Sequence, residues 1–385
     1  MKSLLSRHPI ISTVCMLGLL LYVFFLVATY SSESVGPTPT LLYPAVPLGE
    51  AVSVEKISWS PSGAFILIET EDGSRSGYPK VGPVVVLDLA NRSVVARIEG
   101  AQHAWWGADD SIWVWTDDNW NVYASPFHSP VPWDSGYGEQ PYRFDLNTRS
   151  ERLAVAEFVD VSENWAITVF ENAKESFAVR LTPKYRNPYP TGSMRSPSLT
   201  FSPSGRFLAV VISGWVGHES SGPQELWMVD VKEQRLSHVH TGKYKWWQIA
   251  DADTQSLHPS WTASEDAVIY GDITYGIEEL SIPDAKSRTI IGRGPEVYKV
   301  LVSPTGRWIA FERWPEEDEN VDRYDRWLGV VSRNGRKILH LPVSSISWPD
   351  MYKDWHPKKD VLAVLKRNDG QETHDLYTWD LAGED

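Results

Sequence analysis

Cysteine is almost missing from this chain. The one copy, Cys15, lies inside an apolar N-terminal segment, so no internal disulfide can brace the rest, which must be held by packing. Clustered base is missing too: 36 Lys and Arg face 50 Asp and Glu, a net charge of −14. Phosphate contacts need grouped Lys and Arg, so nucleic acid is excluded as a partner. The familiar catalytic signatures are missing as well. There is no Gly-x-Ser-x-Gly elbow, and Gly73-Ser74-Arg75-Ser76-Gly77 carries its serines at other positions. His218-Glu219 has no second histidine at metalloprotease spacing, and neither a paired-Cys motif nor a phosphate-cradling glycine loop occurs. No cofactor is expected, and the balance tips away from an enzyme.

Charge is missing from one long stretch, Pro9 to Ser32. As a helix, Ile10–Tyr30 spans about 31 Å, the thickness of a bilayer's hydrocarbon. Lys2 and Arg7 precede it and Glu33 follows, which puts the N-terminus in the cytoplasm and everything after Ser32 outside. A cleaved signal peptide has a shorter apolar region, usually about 7–15 residues, and a small-x-small cleavage site. The expected organisation is a cytoplasmic tail at 1–8, a signal-anchor helix at 9–32, a Pro-rich stalk at 33–47 and one domain at 48–385.

What is abundant is tryptophan, at 19 residues, and a repeat. Trp59-Ser60-Pro61-Ser62-Gly63, Phe201-Ser202-Pro203-Ser204-Gly205 and Val302-Ser303-Pro304-Thr305-Gly306 share one pattern, with looser copies at Trp261, Trp355 and Trp106. Each is followed by an apolar strand. The chemistry is that of a hairpin: proline presets φ early in the turn and glycine relieves its end. A second landmark, an apolar-Asp-aliphatic strand end, recurs at Asp88, Asp145, Asp230 and Asp380. It is read as the end of a third strand, with the Asp side chain bonding the next turn. The gap from 106 to 201 is nearly double the others and places a degenerate copy near Val159–Val169. The fold expected is therefore all-β, a β-propeller of seven blades, with six or eight as alternatives. After Asp380 the last blade lacks its fourth strand, which Thr40–Glu55 could supply, closing the ring without exposed edges.

At these turns the chain resembles the TolB-type propeller repeat, aromatic-Ser-Pro-Asp-Gly before an apolar strand. Ser62, Ser204 and Thr305 stand where that family most often has Asp. The resemblance spans 50–385 and implies fold, not function, since one fold hosts many activities.

Candidate site residues are few. His258, His356 and Asp354 adjoin the first landmark near the expected axis, where an acid–base pair could serve a lyase or hydrolase. The plainer use for them is bonding turn backbone. Asp251 and Asp253 alternate like calcium ligands but lack the later glycine and glutamate of such a loop. Trp105 and Trp246, from two Trp doublets, could form an aromatic platform, with Trp106 assigned to packing. Trp133, Tyr137 and Tyr142 lie in a long stretch, Asn119–Tyr142, read as an insertion for binding, like 184–196, 214–223 and 314–327. The function expected is a membrane-anchored, non-cytoplasmic scaffold for a protein or polysaccharide partner. The alternatives are a hydrolase or lyase acting on an extracellular polymer, and an accessory subunit of a membrane complex.

Overall fold

The structure, a computed structural model, describes residues 32–48, 52–72, 82–116, 119–135, 144–160, 164–172, 174–183, 197–215, 221–241, 259–272, 276–282, 284, 286–292, 297–313, 327–341, 351–368 and 373–384. Among these the regular elements are all strands, and no helix is long and apolar enough to cross a membrane. The expected 9–32 span lies outside the described residues except for Ser32, which opens a strand.

Twenty-eight strands of the described residues form six hydrogen-bonded sheets. Five have a simple plan. Strands β10 (Phe144–Asn147), β11 (Arg152–Asp160), β12 (Asn164–Glu171) and β13 (Lys174–Leu181) make one. The next holds β14 (Ser198–Phe201), β15 (Phe207–Trp215), β16 (Ser221–Asp230) and β17 (Arg235–Thr241). Then come β18 (Ser260–Trp261), β19 (Ala267–Asp272), β20 (Gly276–Ser281) and β21 (Ser287–Ile291). Strands β22 (Val297–Val302), β23 (Trp308–Arg313), β24 (Trp327–Ser332) and β25 (Lys337–His340) follow, with β1 (Ser32–Val35) parallel to β25. The last sheet joins β26 (Met351–Trp355), β27 (Val361–Arg367) and β28 (His374–Asp380) to β2 (Thr40–Val46). The sixth sheet has seven strands: β3 (Val52–Trp59), β4 (Phe65–Asp72), β5 (Gly82–Asp88), β6 (Ser93–Trp106), β7 (Ile112–Thr116), β8 (Trp120–Tyr123) and β9 (Pro130–Trp133). Its long strand β6 pairs with β5 up to Ala101 and with β7 from Ala101 onward.

Four expectations are corrected here. Residues 33–47, read as a stalk, run along two sheet edges as β1 and β2, and β2 is the missing partner of β28. Asp145 ends no third strand: it lies in β10, the first strand of its sheet. The degenerate copy of the turn is therefore at 147–151, after Leu146, while 159–169 belongs to β11 and β12. Likewise 119–142 is no simple insertion, since β8 and β9 lie within it.

Packing closes the sheets into a ring. Seven buried apolar clusters lie between successive four-strand groups of the described chain. One of them joins Trp59, Ile66 and Leu87 to Ala363, Leu365 and Leu376, so the first group packs on the last. The second strands explain the run of apolar residues: Ile66, Leu67 and Ile68 are fully buried because both faces of β4 meet neighbours.

The repeated turn is held mainly by its serine. Ser60 N–H donates to Phe65 O at 3.0 Å, Phe65 N–H returns to Ser60 Oγ at 3.2 Å, and Gly63 N–H closes on Ser60 O at 2.9 Å. The same set recurs around Ser202, Thr262 and Ser303, all four being buried. Gly63, Gly205 and Gly306 take φ between 72° and 81°, a region costly to other residues. A Cβ on Gly63 would also collide with the His356 ring. Where the family has Asp, Ser62 N–H donates instead to Asp110 of the following turn at 2.9 Å, Ser204 bonds Glu265, and Thr305 bonds Asp360.

The landmark tryptophans tie neighbouring groups together. Each indole N–H donates to a carbonyl in the first strand of the preceding group: Trp106 to Ser58 at 3.1 Å, Trp261 to Thr200 at 3.2 Å, Trp355 to Leu301 at 2.9 Å. Trp59 closes the circle on Asp354 O at 3.2 Å. A buried Lys353–Glu312 ion pair, each side chain 3% exposed, further joins β26 to β23.

Because the strands alternate in direction, the two ends of the ring differ. First-to-second and third-to-fourth connections lie at one end, the turn end; they are short, and the longest described one, 124–129, joins β8 to β9. Second-to-third connections and the links between groups, including 73–81, 184–196, 242–258, 314–326 and 342–350, start and finish at the other, the loop end.

Candidate functional site

Polar groups gather where the inner strands converge. Lys56 on β3 faces Glu69 across the ladder to β4, with Nζ 3.0 Å from Oε1. The other Glu69 oxygen lies 3.8 Å from His103 Nδ1 on β6. The Lys56 ammonium also interacts with Asp145 on β10 and Asp354 on β26. These strands belong to widely separated parts of the ring, so only a position near its axis lets one ammonium reach both carboxylates. Lys56 remains half exposed, while Glu69 is 8% exposed.

Electrostatics follow from this crowding. Burial works against the charged lysine, but Glu69, Asp145 and Asp354 outweigh it and hold Lys56 above its ordinary value. Burial likewise opposes the Glu69 carboxylate, yet Lys56 and His103 hold its pKa below the usual range. Asp145 is pushed up by burial, against bonds from Phe201 N–H and the Trp105 side chain. Burial raises Asp354 furthest, to about 6, although Trp59 N–H, Trp355 N–H and Lys56 pull the other way. Both aspartates carry structural bonds: Trp59 N–H donates to Asp354 Oδ2 at 2.8 Å and Phe201 N–H to Asp145 Oδ2 at 2.7 Å.

An aromatic wall adjoins the cluster. Trp105 lies 5.9 Å from Lys56 Nζ, 5.8 Å from the His103 ring and 5.4 Å from Phe144. Behind it Trp120 packs at 5.6 Å, and Trp133 stands edge-on to Trp120 at 5.5 Å. The structure thus brings Trp105 and Trp133 into one stack through Trp120, with Trp105 nearer the axis. Tyr137, Tyr142, Trp246, Asp251, Asp253 and His258 lie outside the described residues. His356 turns away from the cluster: its Nδ1 accepts Lys358 N–H at 3.1 Å and its ring meets Trp59 at 4.9 Å. Trp106 is 9% exposed and packs. Among the described residues no three His, Cys, Asp or Glu side chains are grouped to hold a metal.

Lys56, Glu69 and His103 were not singled out from the sequence, although a signal exists. Glu69 and Glu312 each stand six residues after the turn glycine (69 − 63 and 312 − 306), as the first charge after the apolar run that opens each second strand.

No family model matches the chain, and a search of curated proteins finds no significant relative. Solved structures do match. An oligogalacturonate lyase from Vibrio parahaemolyticus aligns over 91% of this chain and all of its own, with a TM-score of 0.60 at 11% identity. An oligogalacturonate lyase in complex with manganese gives 0.59 at 11% identity, over 91% of this chain and 99% of that one. The β-propeller domain of Cps50 (Swd1) from Myceliophteria thermophila gives 0.51 at 13% identity, over 86% and 99%. The chain is a β-propeller. Identities this low carry the fold alone, and the propeller's activity has to be argued from its own residues.

Acid should act on this propeller through two opposed groups. His374 on β28, 4% exposed, is held neutral by burial and by Arg367, with its pKa lowered to about 4. A depressed histidine stabilises the fold above its unfolded value near 6.5 and loses that contribution as pH falls toward 4. At about 1.36 kcal/mol per unit, the loss approaches roughly 3 kcal/mol. Asp354 has the opposite sign: its raised pKa favours the fold below the ordinary aspartate value, and that contribution is lost as pH rises through about 6. The two partly cancel in the native chain. Asp354→Asn, which keeps an acceptor for Trp59 N–H, should therefore sharpen acid sensitivity between pH 6.5 and 4. Unfolding midpoints measured across that window would check it, and an unchanged slope would refute the assignment.

Proposed function

We propose that the chain is a membrane-tethered, non-cytoplasmic propeller of seven blades, the seven-stranded sheet counting as two, that acts as a binding module for a protein or polysaccharide partner. Residues 9–32 supply the tether, and the TolB-like turn repeat supports the blade count. The observation that carries the binding role is the asymmetry of the ring. Short hydrogen-bonded turns fill one end, whereas the connections of variable length, several rich in Tyr, Trp, Pro and Arg, all leave from the other. Such residues on long connections suit recognition. The reading is tested with the full chain in mild detergent, cross-linked in its native membranes. Replacing 184–196 or 342–350 by a short Gly-Ser link should abolish recovery of the partner, and substitutions in the tight turns should not. Recovery of neither protein nor glycan by the intact chain would overturn the proposal.

A second reading, a lyase or hydrolase acting on an extracellular polymer, draws on the axial cluster. A carboxyl titrating near 6 beside an ammonium can exchange protons at ordinary pH. Activity on a polysaccharide panel, with a pH profile inflecting near 6 and abolished in Asp354→Asn, would favour it over the binding module.

A further inference from the structure

The tether joins the ring at a definite place. Ser32, the last residue of the 9–32 segment, is already in β1 and is level with Lys337, just after the Ser332–Arg336 turn. The chain therefore enters at the outer edge of the β22–β25 sheet, at the turn end, with no spacer between the apolar run and the first strand. From there β2 continues along the outer edge of the β26–β28 sheet. Leu41 and Val35, 43% and 76% exposed, are large apolar side chains on this same border.

The turns beside this entry point are basic in an otherwise acidic protein. Arg336, Lys358 and Lys359 are exposed there, and none has an ion-pair partner among the described residues. Nearby Arg333 and Lys337 are engaged by Glu279 and Glu384. The turn ends of the other sheets carry both signs, with Asp109, Asp110, Glu265, Asp266 and Asp284 beside Arg92, Arg149, Arg206, Lys232 and Lys286, so what sets the three cations apart is their place beside the entry point, which they share with Asp380.

We infer that the turn end of the β22–β25 and β26–β28 sheets docks on the bilayer through Arg336, Lys358 and Lys359, which contact anionic lipid headgroups, and that the loop end therefore faces away from the membrane. This inference rests on the tether proposed above. The absence of a spacer keeps these cations within reach of the headgroups, where attraction is not screened away. It also gives the two ends separate tasks, one at the lipid and one at the partner.

The test uses the full chain with Cys15→Ser, reconstituted in phosphatidylcholine nanodiscs with and without phosphatidylglycerol. A fluorophore is attached through Asn334→Cys at the turn end or Val159→Cys at the loop end, and quenching by lipids with a nitroxide headgroup is read. Strong quenching at 334, deepened by phosphatidylglycerol, with several-fold less at 159, is the expected result. Joint reversal by Arg336→Glu, Lys358→Glu and Lys359→Glu should remove the phosphatidylglycerol dependence and leave flotation with liposomes intact. Equal quenching at both positions, or stronger quenching at 159, overturns the docking while the tether stands. Failure to float with liposomes removes the tether and the docking together.

Discussion

Replacing Lys353 with methionine is expected to lower the free energy of unfolding by about 3–5 kcal/mol, the range for breaking a buried ion pair by removing one partner. Lys353 and Glu312 are each 3% exposed and hydrogen-bonded, and they join inner-strand residues of one sheet to the second strand of its neighbour. Methionine roughly fills the volume of the lysine stem but leaves a buried carboxylate without the ammonium bonded to it. Converting both residues, Lys353→Met with Glu312→Leu, should recover much of the loss, because two apolar groups of similar size need no mutual charge. Urea unfolding followed by tryptophan fluorescence reports both variants. A single substitution no worse than the double would show that the pair is not ionised.

The second large effect belongs to Trp59→Ala, also expected to cost about 3–5 kcal/mol. Trp59 fills the cluster between the first and last sheets, and both its backbone and indole N–H groups donate to Asp354. Trp59→Phe separates these contributions: it keeps most of the packing and gives up one indole bond, worth about 1 kcal/mol. Trp106→Phe, Trp261→Phe and Trp355→Phe should show the same small loss, since each makes an equivalent bond. Denaturant midpoints would rank the series. A Phe variant as damaged as Ala would mean that the indole bond, not the packed ring, holds the junction.

These junctions show how much of the fold was legible in the residues. Pro61, Pro203 and Pro304 with their glycines announced the tight turns, and Asp88, Asp230 and Asp380 announced the third-strand ends, where each accepts backbone N–H groups two or three residues on. The copy after Leu146 was missed because its turn has neither Pro nor Gly. Asn147 does their work, its side-chain oxygen accepting Ser150 N–H at 2.9 Å, and Glu151 takes the left-handed φ that glycine takes elsewhere. Asp145 misled for a related reason: Phe144-Asp145-Leu146 has the composition of a third-strand end, yet its carboxylate bonds across to the next sheet. The axial cluster was harder to see. Lys56, Glu69, His103, Asp145 and Asp354 meet only after the circle closes, and no local spacing encodes that meeting.

The pairing of β2 with β28 sets an order of events during synthesis. Strand β2 leaves the ribosome long before β28 and must wait, with Val46 and Leu48 uncovered, until that partner has been made. Up to that moment the unfinished circle presents one open seam to chaperones and proteases. Shortening that interval, for instance by a permuted chain that begins at β3 and carries β1 and β2 after β28, should raise the yield of folded protein even though the strand pairings of the finished ring stay the same.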